Sequence, residues 1–153
     1  MRIWGGLVLW LLLTFAAAAI GSMFTDPSWY QEIARPSWSP SPKVFGPVWT
    51  VLYAMMAVAA WMVWKGEGFS GARVALGLYL AQLVLNAIWS PLFFGMHAIG
   101  LALIDIVGLW GMILATILAF RKHRALAAWM LVPYLAWVTF ATALNGSILL
   151  LNR

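Results

Sequence analysis

The sequence predicts an all-α membrane protein, a bundle of five transmembrane helices. Three observations carry this. Of 153 residues, 65% are hydrophobic and only 8% charged, against about 25% charged in a typical soluble domain. A soluble fold of this size leaves much of its area in water and cannot hide so much apolar surface. The apolar residues fall into five runs, each long enough to cross a hydrocarbon core of ~30 Å as a helix of about 20 residues. Finally, the runs are continuous rather than alternating, which favours helices over the strands of a closed barrel. The length suits a single domain over 1–153.

The first run extends from about Ile3 to Phe24. Arg2, the apolar stretch and Ala16 to Ala19 have some character of a cleavable signal peptide, but the run exceeds the ~7–15 residues of such a core. It is taken as a span. The long connection 25–43 follows, and residues 35–49 read RPSWSPSPKVFGPVW. Proline and tryptophan at that density make a stiff, aromatic-rich cap, suited to a membrane surface where tryptophan prefers to lie. It is the first sign of a pocket for a flat apolar molecule.

The second span covers about Val44 to Trp64, and Lys65 to Ala72 (KGEGFSGA) is expected to be a short glycine-rich turn. The third runs from Arg73 to Gly95, barely separated by Met96 and His97 from the fourth, Ala98 to Phe120. A tight basic link, Arg121 to Arg124 (RKHR), leads to the fifth, Ala125 to Leu151. Short links force antiparallel neighbours. No internal repeat stands out, which lowers support for inverted-repeat transporter folds.

The net charge is +5. The basic residues are spread over loops and ends, so membrane topology explains them better than a nucleic-acid partner does. One side holds Arg2, Lys65, Arg73, Arg121, Lys122 and Arg124, the other Arg35, Lys43 and Arg153. The positive-inside rule puts the first set, and the N-terminus, in the cytoplasm. The long loop and the C-terminus then face the opposite side. There is no cysteine, which excludes disulfides, thiolate chemistry and cysteine metal sites.

In the third span Gln82, Asn86, Trp89 and Phe93 are spaced by 4, 3 and 4 and share one helical face. Side-chain amides in a lipid-buried helix need partners. They act either as interhelical glue, at ~0.6 kcal/mol per contact, or as ligand-facing groups. Pro91 is expected to kink the helix beside Trp89. In the fifth span Pro133, Trp137, Phe140, Ala141, Leu144 and Asn145 form a stripe, on its own more often packing than a site. Pro133 is expected to bend that helix.

Trp49 and Tyr53 lie one turn apart at the start of the second span. With Trp38 and the loop prolines they place aromatic rings near the outer mouth, the plain alternative being an interfacial belt. Trp4, Trp10, Trp61, Trp64 and Trp129 are assigned to that belt or to lipid contact. Asp105 lies about 10 Å inside the fourth span at ~1.5 Å per residue. A lone acid there is expensive, and a structural hydrogen-bonding role is favoured over a proton path. His97 and His123 fall in loops at opposite faces and cannot share a metal; no HExxH, phosphate loop or serine–histidine–acid set appears. Gly77 with Ala81, and Ala17 with Gly21, are small-residue pairs that permit close helix contact.

Taken in order, RPSW with nearby prolines, PVWTVLY, QLVLNAIWSPLFFG, ALID and PYLAWVTFATALN resemble the TspO/MBR family, the translocator protein family, over nearly the whole chain. The resemblance implies a five-helix bundle, commonly a homodimer, with a pocket opening toward the long first loop. It implies ligands such as protoporphyrin IX, haem, sterols and synthetic isoquinoline or benzodiazepine drugs. The family pocket maps to Trp38, Pro40, Trp49, Tyr53, Asn86 and Trp89. From the later segments it adds Phe93, Trp137, Phe140, Ala141 and Leu144. Trp49 and Trp137 match tryptophans tied in the family to light-dependent porphyrin breakdown, which makes them candidate catalytic residues, and Asp105 matches a family acid. One departure is Gly146 in ALNGSILLLNR, where the family's sterol-recognition pattern wants tyrosine. That argues against high-affinity cholesterol binding and for a bacterial-type member in a cell envelope.

The expected function is therefore an integral membrane receptor or carrier for tetrapyrroles. Flat ligands would stack on Trp49, Trp137 and Trp89, with Asn86 and Trp38 as donors. No well-placed histidine predicts iron ligation, and no cofactor is required; the porphyrin is the ligand. Membrane lipid and a second copy of the chain are the other expected partners. The alternatives are a light-dependent porphyrin-degrading enzyme, a transporter, which would need a second conformation, and a ligand-responsive sensor or scaffold.

Overall fold

A computed structural model describes residues 2–23, 27–40 and 42–152. Its elements are α1 (Arg2–Ser22), α2 (Pro27–Glu32), α3 (Pro42–Gly71), α4 (Arg73–Ser90), a π-helical turn (Pro91–Gly95), α5 (Ile99–Arg121) and α6 (Ala125–Leu151). Five of them, α1, α3, α4 with its π turn, α5 and α6, are long and apolar enough to cross a membrane. This is an all-α integral membrane protein. The predicted end of the first span at Phe24, the loop start at Thr25, and Arg153 lie outside the described residues, as do the side chains of Arg2 and Lys43.

Packing order differs from chain order. Helix α1 packs on α3, α3 on α6, α6 on α5, α5 on α4 and α4 back on α1, which closes a ring; α3 and α4 also touch. Each helix is apolar almost all round, as expected where both neighbour and solvent are oily. Tyr79, Tyr134, Phe93, Met56 and Ile113 are buried inside, while Trp4, Leu9, Val74, Ile104 and Trp129 face outward. Lipid tails are as apolar as leucine, so close packing and interhelical hydrogen bonds hold such a bundle together. Gly21 allows one close approach: a Cβ there would lie 3.4 Å from the Ala87 carbonyl oxygen. Gly21 thus serves α1–α4 packing within the bundle. An added Cβ on Gly77 meets nothing within 4 Å.

Three elements differ from expectation. Helix α3 runs on through Lys65–Glu67, where a turn was expected, and breaks only at Gly68, with φ 70° and ψ 172°, a conformation open chiefly to glycine. Pro91 does not simply kink α4. The chain rewinds into a π turn, in which Met96 N donates to the Pro91 carbonyl at 2.7 Å. The long loop contains α2, whose sequence signal is a proline at the first helical position after Asp26. Helix α6 matches its expected bounds and continues as one helix through Pro133.

The two ends of the bundle are tied differently. At one, the Asn152 side chain donates to the Ala34 carbonyl at 2.7 Å and accepts from the Ala34 N–H at 3.1 Å, fastening the long loop to the last residues of α6. At the other, His123 Nδ1 meets Glu67 Oε2 at 2.7 Å, joining the α5–α6 link to the end of α3.

Candidate ligand-binding site

Five of the expected site residues form one continuous run of aromatic rings. Trp38 of the loop stands edge-on to Phe140 at 5.6 Å between centroids, and Phe140 tilts against Trp137 at 5.3 Å. Trp137 meets the edge of Trp49 at 6.2 Å, and Trp49 stacks on Tyr53 at 5.4 Å. Helical spacing on α3 and α6 puts each pair on one face. Trp38 is exposed, Trp49, Trp137 and Phe140 are half-buried, and Tyr53 is buried. The run therefore descends from the exposed loop into the bundle. Pro40 is half-buried in the loop.

A polar chain continues from its inner end. The Tyr53 hydroxyl donates to Asn86 Oδ1 at 2.6 Å, Asn86 Nδ2 donates to the Tyr134 hydroxyl at 2.7 Å, and Tyr134 donates to Gln82 Oε1 at 2.6 Å. The expected role of Asn86 as interhelical glue is thus filled, since it links α3 to α6 through α4. Trp49 also meets the edge of Tyr134 at 6.3 Å.

Trp89 and Phe93 belong to a second, neighbouring cluster. Their rings stack at 5.1 Å, and Trp89 Nε1 donates to Asn145 Oδ1 at 3.0 Å, so one face and the indole N–H of Trp89 already have partners. Phe93 meets Trp29 at 5.4 Å, and Trp29 lies flat on His97 at 4.2 Å. His97 holds a positive φ of 57°, uncommon for a residue with a side chain. Tyr30 packs on Phe94 at 5.6 Å, with the Arg35 guanidinium 4.8 Å from its centroid. Burial raises the Tyr30 pKa, against the opposing pull of Arg35. Ala141 and Leu144 are buried on the inner face of α6.

A separate groove of about 620 Å³ opens between α1 and α4, lined by apolar side chains such as Leu13, Ala17, Leu83, Ala87 and Leu92. None of the expected site residues lines it. The structural role expected for Asp105 is not filled by hydrogen bonding: its buried Oδ2 has no partner among the described residues. Two tryptophans assigned to the belt are interior instead. Trp10 lies edge-on to Tyr79, and Trp61 donates to the Ile3 carbonyl at 2.6 Å beneath the Lys65 ammonium. Trp4 and Trp129 do face outward.

Comparison with known proteins is decisive for the family. The model of the TspO/MBR family matches residues 10–151. The chain belongs to that family. It is 44% identical over 151 residues to the Tryptophan-rich protein TspO of Chlorobaculum tepidum, covering 95% of each chain. It is 40% identical over 147 residues to the Tryptophan-rich sensory protein of Cereibacter sphaeroides, covering 93% of this chain and 91% of that one. Identity to the human Translocator protein is 44% over 131 residues, 82% of this chain and 78% of the other.

In this TspO/MBR-family chain, sequence reasoning missed Tyr134, which accepts from Asn86 and donates to Gln82. Its signal was present: it lies three residues before Trp137 and seven before Ala141, on the same stripe. Trp29 and Tyr30 were missed because they sit in the short helix α2, which was taken as loop.

Proposed function

We propose that this protein is a membrane receptor or carrier that binds flat apolar ligands, tetrapyrroles foremost, against the aromatic run from Trp38 to Tyr53. The relatives' names, Translocator protein and Tryptophan-rich sensory protein, support a membrane receptor or sensor role. The observation that carries the finer reading is the convergence of Trp38, Phe140, Trp137, Trp49 and Tyr53 from the loop, α6 and α3. Rings of graded exposure leading inward from a tethered loop suit a planar ligand. Apolar burial supplies most of the affinity, at about 25 cal/mol per Å² before ordering costs, and aromatic contacts add ~0.5–1.5 kcal/mol each.

The end carrying Lys65, Arg73, Arg121, Lys122 and Arg124 is placed in the cytoplasm by the positive-inside rule. The mouth then faces the opposite side. The test is quenching of tryptophan fluorescence by protoporphyrin IX in nanodiscs. The expected result is saturable quenching that Trp137→Phe weakens. Quenching that rises linearly, as in a protein-free partitioning control, would overturn the reading.

A second reading, light-dependent porphyrin breakdown, is favoured by the direct contact of Trp49 with Trp137. Under illumination the bound porphyrin would bleach faster with the parent than with either phenylalanine variant.

A further inference from the structure

Every hydrogen bond in the chain from Tyr53 to Gln82 points the same way. The direction is set from the Gln82 end. A phenol has one O–H. Once Gln82 Oε1 accepts the Tyr134 proton, Tyr134 offers only lone pairs to Asn86. Asn86 then turns its amide nitrogen to Tyr134 and its carbonyl to Tyr53, and Tyr53 donates its single O–H inward. What Tyr53 has left for the aromatic side, where it stacks on Trp49, is acceptor lone pairs alone.

Gln82 is an unusual residue to find at the end of such a chain. It is 1% exposed, and its Nε2 has no hydrogen-bond partner among the described residues. A buried idle N–H₂ is costly, so the residue contributes its carbonyl and nothing else. A hydrophobic residue of similar size would avoid that cost. It would also release the Tyr134 proton, which would turn to Asn86 Oδ1. Asn86 would then present its nitrogen to Tyr53, and the Tyr53 O–H would be free to point at a ligand.

We propose that Gln82, though it touches no ligand, is a positioning residue that makes the inner end of the pocket a hydrogen-bond acceptor. The site would therefore prefer flat ligands carrying an N–H or O–H donor over isosteres carrying an acceptor. This rests on the proposed reading that Tyr53 faces the ligand.

Carbazole and dibenzofuran make the probe pair: two flat tricyclic molecules of nearly the same shape, one with an N–H and one with an ether oxygen. Binding is measured by equilibrium dialysis on nanodisc-held protein, with empty nanodiscs subtracted. The parent should bind carbazole about fivefold to tenfold more tightly, the range of one hydrogen bond gained or lost. In Gln82→Leu the ratio should fall to one or invert. Tyr134→Phe, which also unlinks Asn86 from Gln82, should bring it toward one and carries the same test if Gln82→Leu does not assemble. Saturable binding of both probes with a ratio unchanged in the variants overturns the role of Gln82 and leaves the pocket standing. Absence of saturable binding of either probe to the parent overturns the pocket reading and this inference with it.

Discussion

Trp49 of α3 stands edge-on to Trp137 of α6, with centroids 6.2 Å apart and ring planes at 89°. The pair forms a corner between two helices that are far apart in sequence but adjacent in the ring. Tyr53 stacks on Trp49, and Phe140 leans on Trp137, so each indole is fixed by a neighbour on its own helix. Replacing either tryptophan by phenylalanine keeps an aromatic surface and should leave the bundle folded. We expect protoporphyrin binding to weaken by about twofold to tenfold, the worth of one aromatic contact, and light-driven bleaching of bound porphyrin to slow by more than that. Quenching titrations and bleaching rates measured on the same samples separate the two effects. Bleaching that proceeds at the parental rate in both variants would remove the photochemical role.

Asn145 is the joint of α4, α5 and α6. It accepts from Trp89 Nε1 and donates to the Ile99 carbonyl, each at 3.0 Å. Interhelical hydrogen bonds in membranes average ~0.6 kcal/mol, with the strongest near ~1.7 kcal/mol. Asn145→Leu removes two and should cost about 1–2 kcal/mol, read as a lower midpoint of detergent-induced unfolding. A double-mutant cycle with Trp89→Phe should show the two changes to be less than additive. Simple addition would mean that the Trp89–Asn145 bond contributes nothing.

The five spans were legible because their signal is long and redundant, and the bounds of α6 needed no correction. Junctions were less so. KGEGFSGA carries three glycines and two charges, yet of the three glycines only Gly68 departs from helical geometry; composition marks where a helix can break, and packing selects the residue that does. The π turn could not be read, since Pro91 removes a donor but does not dictate how the chain rewinds. Within the candidate site, Asn86 and Trp89 were placed on one face correctly, but their partners on other helices, Tyr134 and Asn145, depend on the order of the ring. That order is set by packing between segments of no fixed sequence separation. The interior positions of Trp10 and Trp61 escaped for the same reason, since in an apolar helix no hydrophobic period separates the buried face from the lipid face.

Adjacent glycines in α1 give a sharp contrast. A Cβ on Gly6 would fall within the Trp64 ring of α3, whereas one on Gly5 meets nothing within 4 Å. Both Gly→Ala changes carry the same gain in helix propensity, so their difference isolates packing. Gly5→Ala should be neutral or slightly stabilising. Gly6→Ala should be less stable than Gly5→Ala by about 1–3 kcal/mol, the usual cost of overpacking. Equal unfolding midpoints would show that Trp64 swings aside freely and that α1 and α3 are not held by this contact.

Among the described residues the long loop is held by ring contacts of Trp29 on His97 and Phe93, Tyr30 on Phe94 and Trp38 on Phe140, and by hydrogen bonds of Ala34 with Asn152. The Asn152 amide bonds both the N–H and the carbonyl of Ala34, while its Nδ2 also reaches the Ile148 carbonyl at 2.8 Å. One side chain therefore clips the loop to the end of α6, close in sequence to Trp38, which rests on Phe140. Asn152→Ala removes the clip and leaves the transmembrane packing alone. Because these bonds are exposed, global stability should change by less than about 1 kcal/mol. The local effect should be larger: the Ala34 amide and its neighbours should exchange hydrogen about tenfold faster, as expected when the closed form loses ~1.4 kcal/mol. A bound porphyrin should also leave severalfold sooner. Asn152→Asp keeps an acceptor for the Ala34 N–H but no donor for its carbonyl, and should fall between the two. Exchange over 28–40 that matches the parent in Asn152→Ala would show that the ring contacts of Trp29, Tyr30 and Trp38 hold the loop without the clip.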